Sequence, residues 1–311
     1  MSPPPESGGG RSPFPASHYA PTVTSSQPDD LGVPLSALPD AVKAVRSGSF
    51  GTVAAEYERF RASPPESAVT WLLPSRVGRV VDLGAGTGAL TRLLIDRADE
   101  VVAIEPDPRM RQVLINEVPD ARAVDGRGES MPLPDHAADA VLASSSWHWM
   151  EVGPTLDEVA RVLVPGGLLA ALWSGPDPDG PFMSQARELL GQPRARSTEL
   201  PAGGADTGAG GGLTRQILGD AVRPVSRLEI PAGAPFEPPE LHVDRWDVAL
   251  DADELIGLMS TLSWIITMDD ESRANLFVEA RRLLSELLGI EGEVTVDVAY
   301  RCDTWRTRCL A

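Results

Sequence analysis

The stretch Val80 to Leu90 reads VVDLGAGTGAL, an apolar run that ends at Asp82 and continues into glycines at every second position. Glycines between a strand and a helix let the backbone approach a ligand closely and leave N–H groups at the helix start. The spacing is GxGxG, whereas dinucleotide sites carry GxGxxG. A carboxylate at Asp82 opposes a pyrophosphate but suits a ligand that carries an ammonium or sulfonium group. The alternative is that these glycines serve only close strand–helix packing.

A second acidic residue, Glu105, ends the next apolar run, VVAIE. Its separation from Asp82 along the sequence is close to the roughly 20 residues at which an acidic side chain reaches ribose hydroxyls in nucleoside-binding α/β folds. Asp107 and Pro108 are predicted as the N-cap and first residue of the following helix, which places Glu105 at a strand end. The alternative for Glu105 is a solvated charge on a strand–helix loop.

Short apolar runs alternate with longer amphipathic segments from Pro65 to Trp173, which predicts an α/β fold with a Rossmann-like, doubly wound, mostly parallel sheet. The alternating EVTVDVAYRC segment predicts an antiparallel C-terminal edge strand. The predicted strands are Arg79–Leu83, Val101–Glu105, Ala121–Asp125, Ala140–Ser144 and Leu168–Trp173. The predicted helices are Ala89–Arg97, Pro108–Glu117 and Leu156–Val164.

Composition narrows the class of partner. The formal net charge is -18, which opposes nucleic acid and anionic membrane surfaces as partners, although a local basic patch could evade this average. The two cysteines, Cys302 and Cys309, lack metal-ligand spacing, so we expect reduced thiols and no metal site. Neither a secretory signal nor a membrane-spanning run is found. We therefore expect a soluble cytoplasmic protein, monomeric or homodimeric.

Four segments together resemble the class I S-adenosylmethionine-dependent methyltransferases with a type 11 methyltransferase domain. They are VVDLGAGTGALTRLL, VVAIEPDPRM, DGRGESMPLPDHAADAVLASSSWHWM and LDEVARVLVPGGLLAALW. The SSSWHWM segment is similar to the trans-aconitate methyltransferase-like branch. The resemblance implies S-adenosylmethionine as cofactor and methyl transfer to an O, N or C nucleophile of a small molecule, with a carboxylate among the acceptors.

Composition, the sequence pattern and the resemblance together predict a domain organisation. A Pro-, Ser- and Gly-rich tail over residues 1–40 has too little apolar surface to order itself. The methyltransferase domain is expected over 41–311. Within it we expect a cofactor-binding core over 46–175, an insertion and substrate cap over 176–270, and a C-terminal helix with edge strands over 271–311.

The family's binding residues are carried over where positions match. The implied cofactor-binding residues are Tyr57, Arg61, Asp82, Gly84, Ala85, Gly86, Glu105, Pro106, Met110, Gly128, Glu129 and Ser144. The turn and Asp82 would surround the methionine moiety, and Glu105 would bind the ribose hydroxyls. Pro106 and Met110 would lie near adenine, and the backbone or carboxylate at Gly128 and Glu129 would bind its edge. Tyr57 and Arg61 would belong to a lid over the cofactor.

One departure and one candidate catalytic residue follow. Many relatives carry Asp where Arg127 stands, and a guanidinium cannot accept a hydrogen bond from the adenine amino group. His148 could deprotonate a hydroxyl or amine nucleophile, because its ordinary pKa lies near neutrality. The alternative is that His148 and its flanking tryptophans only pack over the sheet edge. A carboxylate, thiolate or enolate acceptor needs no strong base.

Residues for the acceptor and two other functions remain open. Phe236, Trp246, Trp264 and Met268 are candidates for the cavity wall, although each suits the core equally. Arg61 or Arg245 could bind an acceptor carboxylate. A nicotinamide-dependent oxidoreductase is opposed by the GxGxG spacing and by Asp82, and the other alternative is a non-enzymatic module that binds S-adenosylmethionine or S-adenosylhomocysteine.

Overall fold

The computed structural model describes residues 59–189, 227–266 and 269–310, together with Ser49, Gly51 and Ala54. Its central feature is a seven-stranded sheet in the order β3-β2-β1-β4-β5-β7-β6. The strands are β1 Val77–Leu83, β2 Ala98–Ile104, β3 Arg122–Val124, β4 Ala138–Ser144, β5 Leu163–Pro176, β6 Glu240–Leu250 and β7 Val296–Arg308. Strands β1 to β5 are parallel, which confirms the predicted α/β class and mostly parallel sheet.

Three of the helices overlap the segments predicted as Ala89–Arg97, Pro108–Glu117 and Leu156–Val164. The helices among the described residues are α1 Glu66–Leu72, α2 Ala89–Leu94, α3 Pro108–Glu117, α4 Val152–Val162, α5 Pro181–Leu189, α6 Ala252–Ser260, α7 Ser263–Ile266 and α8 Asp270–Leu288. Short 3-10 turns cover Ile95–Arg97 and Trp147–Trp149. None of the helices in the described part of the chain is long and apolar enough to cross a membrane.

Both faces of the sheet are buried, as a parallel sheet requires. Along β1, Val80 packs with α1 and α2 on one face, and Val81 packs with α4 on the other. Asp82 follows Val80 by two residues and therefore points to the α2 face. The carboxyl ends of β1, β2 and β4 meet at one edge, where Leu83 pairs with Ile104 and Asp82 with Leu142. Ligands of open α/β sheets bind at this edge.

The C-terminal strand β7 is antiparallel to β5, as predicted, and the structure adds a further strand, β6, outside it. Strand β6 lies within the region expected to be an insertion. In its sequence, ELHVDRWDVAL, charged residues occur at both odd and even positions, so the apolar alternation that marks a strand is weak. Its first eight residues are at least partly exposed. The strand is therefore specified mainly by its pairing with β7.

The C-terminal helix α8 buries one face and ends at a glycine. Leu276, Ala280 and Leu284 are buried along one face of α8. Gly289 ends the helix with a left-handed backbone (φ 65°), and its N–H donates to carbonyls of the last turn. The predicted tail over 1–40, Tyr57 and Met268 lie outside the described residues.

Candidate functional site

The glycine turn after β1 is held by the neighbouring strand. The N–H groups of Gly84 and Ala85 both donate to the carbonyl of Ile104, at 2.8 and 3.0 Å. Gly84 and Gly86 have left-handed φ values of 68° and 59°. A Cβ at Gly84 would lie 2.6 Å from Cβ of Ser146, whereas at Gly86 the nearest atom is Cε of Met110 at 3.5 Å. Gly84 is thus required by packing, and Gly86 leaves room beside the backbone.

Asp82 is wholly buried at the end of β1. Its Oδ2 accepts a hydrogen bond from the hydroxyl of Thr91 on α2 at 2.6 Å. Its Oδ1 is buried without a hydrogen-bond partner among the described residues. Burial, opposed by Thr91 and reinforced by the charge of Glu105, raises the pKa of Asp82 from 3.8 to about 7. A cationic group at Oδ1 would supply the missing partner and favour the ionised form.

Glu105 stands immediately after β2 and is 8% exposed. One carboxylate oxygen accepts from the N–H of Gly86 at 2.9 Å, and the other accepts from the N–H of Asp107 at 2.8 Å. Burial raises the pKa of Glu105, and these two backbone hydrogen bonds oppose the rise. Each carboxylate oxygen has two lone pairs, so Glu105 braces the turn and can still accept from a pair of hydroxyls.

Two of the residues expected near adenine follow β2, in the loop after Glu105 and on α3. Pro106 is exposed, and Met110 is buried on α3 beside Gly86. Asp107 caps α3 by accepting from the N–H of Arg109 at 2.9 Å, and Pro108 opens the helix, as predicted. Residue Gly51 of the N-terminal segment lies against Asp107 and Arg109. Gly51 therefore lies at the start of α3.

The Gly128–Glu129 turn is tied to helix α4. Arg127 and Ser130 exchange backbone hydrogen bonds at 3.2 and 3.1 Å. A Cβ at Gly128 would lie 2.7 Å from Sδ of Met150. One oxygen of Glu129 accepts from the N–H of Glu151 at 2.8 Å, at the start of α4. The sequence analysis did not predict this hydrogen bond. Binding of adenine by the other acceptor positions of Glu129 stays a prediction.

The segment after β4 contacts the glycine turn. Ser144 ends the strand half-buried, and Ser145 adopts a left-handed φ of 52°, an uncommon conformation for a residue with a Cβ. The hydroxyl of Ser146 donates to the carbonyl of Leu83 at 2.6 Å. Ser146 therefore locks this segment to the end of β1, a role that the sequence analysis did not assign.

His148 follows in the 3-10 turn and contacts a residue of β5. Its Nδ1 accepts a hydrogen bond from the indole N–H of Trp173 at 3.1 Å, and its ring lies 4.9 Å from that of Trp149. Trp147 is buried in the core below. Trp147 therefore fits the alternative that these aromatic residues only pack over the sheet edge. Trp173 is a neighbour of His148 that the sequence analysis did not find.

Candidate anchors for an acceptor carboxylate are already engaged. The Arg61 guanidinium donates to the hydroxyl of Thr261 at 3.1 Å. Arg245 pairs with buried Asp177 at 3.0 Å. Phe236 is buried in the core, and Trp246 packs at 5.7 Å from Tyr300, so neither residue is shown lining a cavity. No cluster of three or more His, Cys, Asp or Glu suited to a metal occurs in the described ranges.

Comparison with known proteins shows similarity to methyltransferases. Residues 81–171 match the model of the family described as "Methyltransferase domain". The chain is 35% identical over 237 residues to an uncharacterized methyltransferase of Mycobacterium tuberculosis, which covers 76% of this chain and 86% of that protein. An uncharacterized methyltransferase-like protein of Schizosaccharomyces pombe is 30% identical over 151 residues, 47% of this chain and 59% of that protein.

One solved structure of a methyltransferase shows a distant similarity. An S-adenosylmethionine-dependent methyltransferase of Aquifex aeolicus is 20% identical, with a TM-score of 0.36 over 41% of this chain and 74% of that chain. The match to the mycobacterial protein extends over three quarters of this chain, and the region matched by the family model contains the glycine turn, Glu105 and the segment after β4. The 35% identity to the mycobacterial protein therefore shows that the chain belongs to the methyltransferases.

Proposed function

We propose that S-adenosylmethionine binds at the carboxyl edge of β1 and β2, with its cationic amino-acid end directed to Asp82. The observation that carries this proposal is Oδ1 of Asp82, a carboxylate oxygen that is buried without a partner among the described residues. A buried carboxylate with an unmatched oxygen is costly, and an ammonium group, directly or through one water, would offset that cost. When bound, S-adenosylmethionine supplies a methyl group on a sulfonium.

Glu105 and Gly86 complete this half of the site. Glu105 would accept hydrogen bonds from the ribose hydroxyls, in the position where nucleoside-binding α/β folds place an acidic residue. The N–H of Gly86 holds the carboxylate at 2.9 Å and so fixes its orientation before the ligand arrives. The open space at Gly86 would allow the ligand to approach the backbone.

For the acceptor, we propose a small molecule with an O, N or C nucleophile, bound beside the turn that carries His148. A carboxylate acceptor is the specific hypothesis, in keeping with the resemblance of SSSWHWM to the trans-aconitate branch. Arg245 already pairs with Asp177, but 51% of its side chain is exposed, and this exposed part would be the anchor. The chain's own contribution to the transfer would be alignment and exclusion of water.

Calorimetric titration tests the proposed cofactor site. S-adenosylmethionine, S-adenosylhomocysteine and NAD are titrated separately into the wild-type protein and the Asp82→Ala variant. We expect micromolar binding of both adenosyl ligands, with affinity lowered at least tenfold in the variant, and no binding of NAD. Equal affinity in the two proteins would overturn the role of Asp82, and binding of NAD alone would overturn the cofactor site.

A further inference from the structure

The hydrogen bond between Trp173 and His148 determines which nitrogen of the histidine carries the proton. The indole N–H of Trp173 is a donor only, so Nδ1 of His148 at 3.1 Å has to be the acceptor. In a neutral imidazole the proton then resides on Nε2. A doubly protonated ring would turn two N–H donors towards each other and lose this bond.

Trp173 is held firmly enough to impose this state. It lies within β5, where it pairs with Asp303 of β7, and its side chain is buried in the core beside Trp147. The indole cannot turn away from His148 without disturbing the packing of this core. Trp173 is therefore a fixed donor to which the histidine adapts.

The turn that carries His148 is also fixed relative to the proposed cofactor site. Ser146 donates to the carbonyl of Leu83 and packs on Gly84. Met150, two residues beyond His148, contacts the positions of Gly84 and Gly128. His148 thus lies on a segment that is anchored on both sides to the residues expected around the cofactor.

We propose that Trp173 is a positioning residue that holds His148 as the Nε2–H tautomer, so that His148 acts as a hydrogen-bond donor to an anionic acceptor oxygen. This inference rests on the proposed function of the site and deepens it. A histidine whose Nδ1 is occupied by a donor and whose Nε2 bears the proton is not available as a base. The acceptor is therefore a nucleophile that is anionic before transfer, such as a carboxylate, and has no proton to lose.

His136 provides a reference within the same protein. Its Nδ1 lies 2.9 Å from the carbonyl oxygen of Leu163, an acceptor only, so Nδ1 of His136 has to carry a proton. The two histidines should therefore show opposite tautomers in the same sample. Nitrogen NMR distinguishes the two forms by the chemical shifts of the protonated and unprotonated ring nitrogens.

The first test is nitrogen NMR of the full chain, recorded well above the ordinary histidine pKa of about 6.5. We expect the Nε2–H tautomer for His148 and the Nδ1–H tautomer for His136. In Trp173→Phe, His148 should lose its single tautomer while His136 stays unchanged. A wild-type His148 that is protonated on Nδ1 would overturn the proposal, even if the Trp173→Phe variant failed to fold. A folded Trp173→Phe protein with the wild-type tautomer would overturn the role of Trp173.

The second test compares His148→Gln, whose amide can donate near the position of Nε2, with His148→Ala. Transfer of a radiolabelled methyl group is measured with succinate, trans-aconitate and benzoate, and with phenol and benzylamine for comparison. We expect transfer to carboxylates only, with kcat/KM of the Ala variant lowered about a hundredfold and largely recovered by Gln. Methylation of the amine or phenol alone, or a Gln variant as inactive as Ala, would overturn the donor role. Loss of cofactor binding, measured separately by calorimetry, would instead refute the proposed function.

Discussion

The hydroxyl of Thr91 donates to one oxygen of Asp82 at 2.6 Å, while the other oxygen of the same carboxylate is buried without a partner among the described residues. The described part of the protein thus provides a hydrogen-bond partner for only one of the two carboxylate oxygens, at the sheet edge where a ligand is expected. Burial raises the pKa of Asp82 to about 7, so the ligand-free protein retains a proton there under mildly acidic conditions.

Asp82 should make the ligand-free protein less stable as the pH rises. Its pKa is 3.8 when unfolded and about 7 when folded, so between these values the native state binds more protons than the unfolded state. The free energy of unfolding therefore falls through this range. Asp82→Asn, which mimics the protonated form, should remove the fall and stabilise the protein in mild alkali by at least ~1 kcal/mol, roughly 2–4 °C in Tm.

The control for this prediction is Asp120→Asn, which alters an exposed carboxylate. Denaturant unfolding at a series of pH values measures the effect in all three proteins. Parallel pH profiles for wild type and Asp82→Asn would show that Asp82 is ionised normally and would contradict the structural account.

The affinity for S-adenosylmethionine should depend on the same ionisation. An ammonium partner favours the charged carboxylate, so binding should weaken as the pH falls below about 7 and should release a proton from Asp82. Calorimetry in buffers of different ionisation enthalpy detects this release directly. Affinity that is constant from mildly acidic to mildly alkaline conditions, with no proton released, would argue against contact with the ionised carboxylate.

Glu105→Ala should lower cofactor affinity at least tenfold, because charge-assisted hydrogen bonds contribute about 1.5–3 kcal/mol each. Part of this loss will come from the turn, since Glu105 also accepts from the N–H groups of Gly86 and Asp107. Glu105→Gln keeps one acceptor oxygen and should fall between wild type and Ala. Calorimetric affinities equal to wild type in both variants would show that the ribose lies elsewhere.

Gly86→Ala should reduce cofactor affinity without unfolding the protein. The added methyl group would contact only Met110, at an ordinary distance. Alanine would, however, have to adopt the left-handed φ of this position, at a cost of roughly 1–2 kcal/mol. Gly166→Ala is the matched control, because Gly166 also has a left-handed φ (77°) and open space around it. We expect similar losses of Tm in both variants and weaker binding in Gly86→Ala alone. Equal binding by both would exclude a close approach at Gly86.

Arg245→Ala should raise the KM for a carboxylate acceptor if this arginine is the anchor. The same change leaves Asp177 buried without its 3.0 Å partner, so the protein should also lose stability. Combining Arg245→Ala with Asp177→Asn should recover the stability but not the KM. A normal KM in the stable double variant would dismiss Arg245 as the anchor, and Arg61→Ala would be measured in parallel.

The cofactor half of the fold follows from local sequence. Apolar runs that end at Asp82 and Glu105, with glycine and proline at the following turns, specify the strand ends and the start of α3 because the signals are close to the elements they define. Helix α4 ends at Val162, two residues before its predicted end, because β5 begins at Leu163 as a partner of Ala138. That pairing joins distant segments and has no local signal.

Contacts between distant segments also explain what the sequence analysis missed in the site. Thr91 reaches Asp82 only through packing of α2 on β1, and Ser146 reaches Leu83 only when β4 lies beside β1. Trp173 and His148 stand on different elements, with no shared spacing to connect them. Strand β6 is similar, because its pairing with β7 outweighs its weak apolar alternation.

A crystal structure of the complex with S-adenosylhomocysteine tests the central claim most directly. The account predicts that the amino group of the ligand lies within hydrogen-bond distance of Oδ1 of Asp82, or one water away, with the ribose hydroxyls on Glu105. A ligand bound with its amino-acid end away from Asp82, and with the Oδ1 atom still unpartnered, would contradict it.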